Sequence, residues 1–145
     1  MRRLRQEETG STLLLTIFYS MLCLVLALLV TAATSLYLER KRLFTLADGA
    51  ALVGAEAYEL DAFLSAATGG ASAALSSPAV ASAVDGYIAA VPHDFEGLAV
   101  VRADSRDGLS ATVGLSAFWR PPMITLLVPE GLRIEVETTA RSVLG

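Results

Sequence analysis

Thirty consecutive residues, Thr9 to Leu38, contain no Asp, Glu, Lys, Arg or His, and 21 of them are apolar. An α-helix rises about 1.5 Å per residue, so the roughly 30 Å hydrocarbon core of a bilayer needs about 20 residues. The stretch Leu13 to Leu38 exceeds that and reads as one membrane-spanning helix, drawn over 12–38. A cleaved secretory signal has an apolar core of about 7–15 residues ending at a small-residue site. Here the core is longer and Val30-Thr31-Ala32 matches Ala-x-Ala poorly, so an uncut anchor is expected. Cys23 is the only cysteine, which excludes an internal disulfide. The chain is 18% charged and 54% hydrophobic over 145 residues, with every charged residue outside this one window. That distribution fits a small folded domain with a single anchor and excludes collagen, extended disorder and a polytopic transporter.

Charge sets the expected orientation. Arg2, Arg3 and Arg5 precede the span in a basic tail, 1–11, and Arg40, Lys41 and Arg42 follow it, so the flanking basic residues balance. From Leu43 onward there are 5 Arg against 12 Asp plus Glu, a net −7. Such an acidic distal region has no attraction to nucleic acid or to an anionic leaflet. The expectation is a cytoplasmic-membrane protein with its N-terminus inside and its C-terminal domain outside.

The helix is not expected to stop at the membrane surface. No proline occurs from Glu39 to Leu64, and Leu43, Leu46, Ala47, Ala50, Val53, Ala57, Leu60 and Leu64 recur every three or four residues. This predicts an extended amphipathic helix over 39–66. Between Ala47 and Ala57 small residues dominate, which permits close approach of another packed element. The stripe suits either the chain's own domain or neighbouring subunits. The reading carried forward is a helix-packing seam for partners, formed by Ala47, Ala50, Ala51, Gly54 and Ala57.

An Ala/Gly/Ser-rich linker is expected over 67–77, with Gly69-Gly70 as its breaker. Beyond it, 78–145 reads as a small exofacial α/β domain. Ser77 is placed to cap a short helix, Pro78 to Ala90, that buries Val80, Val84, Tyr87, Ile88 and Val91 and ends before Pro92. Leu109, Ala111, Val113, Leu115 and Ala117 alternate with polar or small residues, as do Leu132, Ile134 and Val136. Both patterns predict half-buried antiparallel strands. Leu98 to Ala103 supplies a third, joined to the next through Asp107-Gly108. The segment from Arg120 to Gly131 holds three prolines, which confine it to a loop or an edge. The fold class is therefore α+β: a single transmembrane helix continuing into a long amphipathic helix, then a short helix and a small three-stranded antiparallel sheet.

Little in the chain carries catalytic chemistry. His93 has no second His and no exofacial Cys to complete a zinc site. Glu56 with Glu59, and Glu135 with Glu137, are carboxylate pairs that read as solvated faces. No nucleophile–His pattern and no phosphate-binding glycine loop occur. The expectation is a protein that is not an enzyme, with no cofactor and no metal.

The basic tail, the Gly10-Ser11 step, the uncharged span and the segment YLERKRLFTLADGAALVGAEA follow an order found elsewhere. Arg42, Ala47, Asp48, Ala50, Ala51, Leu52 and Ala55 fit an Arg-x-x-x-x-Ala-Asp-x-Ala-Ala-Leu-x-x-Ala pattern after a membrane helix. In this the chain resembles the TadE/TadG-like proteins of Flp (Tad) pilus assembly. The ending, a strand closing in Thr139, Ala140 and Arg141, is similar to the TadE-type ending. The resemblance implies a pseudopilin or minor pilin-like component of a pilus or type II-like secretion machine. Its implied partners are the lipid bilayer and other pilin-like subunits, without nucleic acid or a small-molecule substrate. Processed relatives have Gly at the cut and Glu at the fifth mature position, so Gly10 and Ser11 mark the possible processing site. The fifth residue here is Leu15. That departure favours an unprocessed, membrane-resident assembly factor. A single-pass sensory or regulatory subunit is the alternative, and it requires a pocket with convergent polar groups.

Overall fold

The structure is a computed structural model that describes residues 4–67, 75–121 and 130–141, with the backbone alone for 4–10 and 58–66. One helix, α1 (Leu4–Ala67), carries both the apolar span and the amphipathic segment without a break. Its 64 residues make it about 96 Å long at about 1.5 Å per residue. A second helix, α2 (Ser77–Ala90), and three strands, β1 (Glu96–Asp104), β2 (Ser110–Trp119) and β3 (Leu132–Arg141), complete the α+β fold. The expected linker core, 68–74, and the apolar stretch 122–129 lie outside the described residues.

The cap of α2 differs from expectation by one residue. Ser76 is the N-cap, and its hydroxyl accepts from the Ala79 N–H at 3.4 Å. Ser77 instead opens the helix and bonds across to Ser105, accepting from its N–H at 3.2 Å and donating to its carbonyl at 3.3 Å. At the far end Val91 is extended (φ −88°, ψ 122°), the conformation a following proline imposes. Val80 and Val84 are buried, and Tyr87, Ile88 and Val91 pack against the same core.

The strands pair antiparallel in the order β1-β2-β3. The β2–β3 register runs unbroken from Ser110↔Arg141 to Trp119↔Leu132, whereas β1 shifts register twice against β2. Asp107 organises the β1–β2 connection by accepting from the N–H groups of Leu109 (3.0 Å) and Ser110 (2.8 Å) and from the Ser110 hydroxyl. Gly108 follows at φ +70°, a left-handed conformation that glycine adopts without a Cβ penalty. Its carbonyl accepts from Leu75 N–H at 3.0 Å, tying the turn to the approach to α2.

The core lies between one face of the sheet and one face of α1. Ala111, Val113, Leu115 and Ala117 of β2 are essentially inaccessible, as are Leu43, Ala47, Ala50 and Ala51 of α1. Two contacts set the alignment: Trp119 meets Ser35, and Ala111 meets Gly54. Eight residues of strand span about 27 Å and nineteen of helix about 28 Å, so β2 runs nearly along the helix axis.

Two outcomes follow. Leu115→Ala leaves a void in the centre of β2 and costs about 2–5 kcal/mol, measurable by denaturant titration of the full chain in detergent micelles. Hydrogen bonds from Leu109 and Ser110 hold the Asp107 carboxyl at a pKa of about 2, below its ordinary 3.8. A depressed carboxylate stabilises the fold above its unfolded pKa, and that contribution is lost as pH falls through the folded one. The stability gap between the native chain and Asp107→Asn is therefore constant above about pH 4 and narrows toward pH 2.

Candidate functional site

The proposed seam lies on the covered face of α1. Ala47, Ala50 and Ala51 are wholly buried, Gly54 is buried and Ala57 half-buried, but what covers them is the chain's own sheet and α2. A Cβ built on Gly54 would lie 3.1 Å from Val80 Cγ1, 3.2 Å from Ala111 Cβ and 3.6 Å from Val84 Cγ2. A Cβ on Gly49 would collide with the Tyr87 hydroxyl. The small residues thus admit strand and helix of the same molecule. The covered face is also rotated slightly from the expected one: it centres on Leu43, Ala47, Ala50 and Gly54, while Val53 stands at its margin. The Leu60 and Leu64 side chains lie outside the described residues.

Two polar contacts pin this interface. The Thr138 hydroxyl donates to Asp48 Oδ1 at 3.3 Å, tying β3 to the Ala-Asp step of α1. Trp119 Nε1 donates to Ser35 Oγ at 3.3 Å, so the lower end of β2 meets α1 inside the uncharged run. Neither link was anticipated, because its partners are 90 and 84 positions apart.

Among the described side chains below Ser35, all but the half-buried Ala32 are exposed. Leu13 is 64% exposed, Phe18 63% and Leu29 62%, and the most apolar 18-residue window has no buried residue. The helix is long and apolar enough to cross a membrane. Three of its hydroxyls have partners: Thr16, Thr31 and Thr34 donate to the carbonyls of Thr12, Ala27 and Val30 at 2.8–2.9 Å. Such bonds lower the cost of placing a threonine hydroxyl in an apolar surrounding. Gly10 and Ser11 lie within α1, and Leu15 is exposed.

The remaining candidates fall elsewhere. His93 is exposed beside Phe95. It shares a shallow cleft of about 450 Å³ with Glu39, Arg42, Tyr87 and Asp94. Glu135 and Glu137 are exposed on β3, and Glu137 accepts from Arg102 Nη1 at 3.5 Å. Arg102 also pairs with Asp104 at 3.0 Å, which raises its pKa above the ordinary value. No cluster of three or more His, Cys, Asp or Glu able to hold a metal occurs among the described residues.

Substitution separates a self-packing stripe from a partner seam. Ala50→Leu forces a side chain into a filled interface and costs about 1–3 kcal/mol. Leu52→Ala, at a half-exposed neighbour, stays within about 0.5 kcal/mol. The sole tryptophan, Trp119, reports both unfolding curves by its emission.

Comparison with known proteins bears on α1. Residues 10–57 match the Tad family model, described as Flp pilus-assembly TadE/G-like. The TadE/TadG-like resemblance therefore holds from the Gly10-Ser11 step through the Ala-rich segment, and it supports involvement in Flp pilus assembly. The match ends at Ala57, so the similarity of the C-terminal ending lies beyond it. No curated protein and no solved structure matches the chain significantly.

Proposed function

We propose that this TadE/TadG-like chain is a non-catalytic, membrane-anchored component of the Flp pilus apparatus, a minor pilin-like or assembly subunit. The observation that carries the reading is the agreement between the family match over 10–57 and the bare apolar half of α1 within it. The N-terminus lies in the cytoplasm, the apolar half crosses the inner membrane, and the sheet domain stands outside. Within lipid, helices associate through van der Waals packing of small residues and interhelical contacts rather than through the hydrophobic effect. The lower half of α1 offers such a surface at Ala27 and Thr31, whereas the Ala47–Gly54 face is already filled by the chain's own strands. Partner subunits therefore meet this chain below Ser35, or through the outer surface of its domain.

A continuous helix suits a mechanical role. Because α1 is unbroken from Leu4 to Ala67 and clamped to the sheet from Ser35 to Gly54, a displacement in the membrane moves the outer domain with it. Leu15 occupies the position at which processed relatives carry Glu, which favours a subunit that keeps its residues before Gly10 and stays in the membrane.

N-terminal sequencing of the protein from membrane and sheared-surface fractions tests this. A start before Gly10, in membranes alone, supports the resident assembly subunit. A Ser11 start in sheared filaments overturns that form of the proposal and places the chain in the pilus. Recovery in the soluble fraction after expression in a pilus-forming host contradicts the anchor.

A further inference from the structure

The lower rim of the sheet meets α1 at a level that the membrane itself defines. Leu13 to Leu38 is about 39 Å of helix, some 9 Å more than the hydrocarbon thickness. The sheet reaches α1 at Ser35, where Trp119 donates its indole N–H. Strand ends carry backbone polar groups, and this rim also carries the Arg120–Glu96 ion pair at 2.9 Å. Neither can enter hydrocarbon at tolerable cost. The hydrocarbon must therefore end before Ser35, leaving a span of about 20 residues that starts near Leu14. The rim lies immediately above it, within the headgroup region.

Its chemistry fits that level. The last register pairs of β2 and β3 are Phe118↔Arg133 and Trp119↔Leu132. Phe118 is 44% exposed and Leu132 50%. The opposite rim, where Ser110 pairs with Arg141 beside the Arg106-Asp107 turn, presents polar and charged groups. Aromatic rings concentrate where bilayer meets water, and here two arginines frame them, Arg120 paired with Glu96 and Arg133 donating to the Ser116 hydroxyl at 3.2 Å.

We propose that this rim, Phe118 and Leu132 flanked by Arg120 and Arg133, rests in the phospholipid headgroup layer of the membrane that α1 crosses. The inference builds on the anchored reading above. Trp119 and Ser35 set the height of the domain, and the exposed apolar side chains hold it against the surface.

The test uses the full chain in vesicles of phosphatidylcholine and phosphatidylglycerol. Phe118→Cys, Leu132→Cys and, as a distal reference, Arg106→Cys are each made in a Cys23→Ser background and spin-labelled. The expected result is a several-fold lower collision rate with a water-soluble nickel chelate at 118 and 132 than at 106, with higher oxygen accessibility. In the unlabelled native chain, Trp119 should be quenched more by lipid brominated near the headgroup than by lipid brominated near the chain end. Flotation of the vesicles separates the two readings. If the protein floats but the rim probes are as wet as position 106, the seating is overturned and the anchor stands. Rim probes shielded from both reagents show a protein interface instead of lipid and overturn it as well. If the protein does not float, the anchor fails and this inference fails with it.

Discussion

Close approach between one face of α1 and β2 is the interaction on which the rest of the structure depends. Ala47, Ala50, Ala51 and Gly54 keep large side chains off the helix surface, so Ala111 can pack close to Gly54 and the rest of the sheet's apolar face can close over the helix. A three-stranded sheet of this size has no second sheet to cover its apolar face. It needs α1, and the small-residue face of α1 needs the sheet. The two ends of the contact, Ser35–Trp119 and Gly54–Ala111, then fix the height and direction of the whole domain on its post.

That mutual cover divides one continuous helix into two regimes. Above Ser35, the face that carries small residues is satisfied within the molecule. Below it, every large apolar side chain among the described residues is exposed and has no cover within the chain. The family match spans both regimes, ending at Ala57 within the covered part. The small-residue pattern shared with TadE/TadG-like proteins is thus, in this chain, first a condition for folding the outer domain. It holds that domain against the long helix.

Much of this was legible in the residues themselves. A run of thirty uncharged residues and an absence of proline to Leu64 dictate an unbroken helix. Period-two alternation in β2 and β3 dictates which side faces inward, and Asp107-Gly108 dictates a turn. What could not be read was the destination of the Ala/Gly stripe. Small residues favour close packing with any neighbour, and the identity of that neighbour depends on contacts such as Asp48–Thr138, 90 positions apart. The one-residue shift from Ser77 to Ser76 at the cap has a local cause. Adjacent serines can both cap, and the long-range bonds of Ser77 to Ser105 decide between them. The Trp119–Ser35 link was hidden for a further reason: hydropathy alone places Ser35 in the apolar run, while tertiary packing brings it against the sheet.

The central claim is that the small-residue face of α1, from Leu43 to Ala55, is covered by its own chain, and proximity chemistry addresses it directly. Asp48 and Thr138 are replaced by cysteine in a Cys23→Ser background, and the full chain in membranes is treated with a short bis-thiol reagent that fluoresces only when both arms react. The account predicts a fluorescent band at monomer size, formed at a rate independent of protein concentration. Fluorescence confined to dimers and higher species would show that the stripe packs between molecules, and would contradict it.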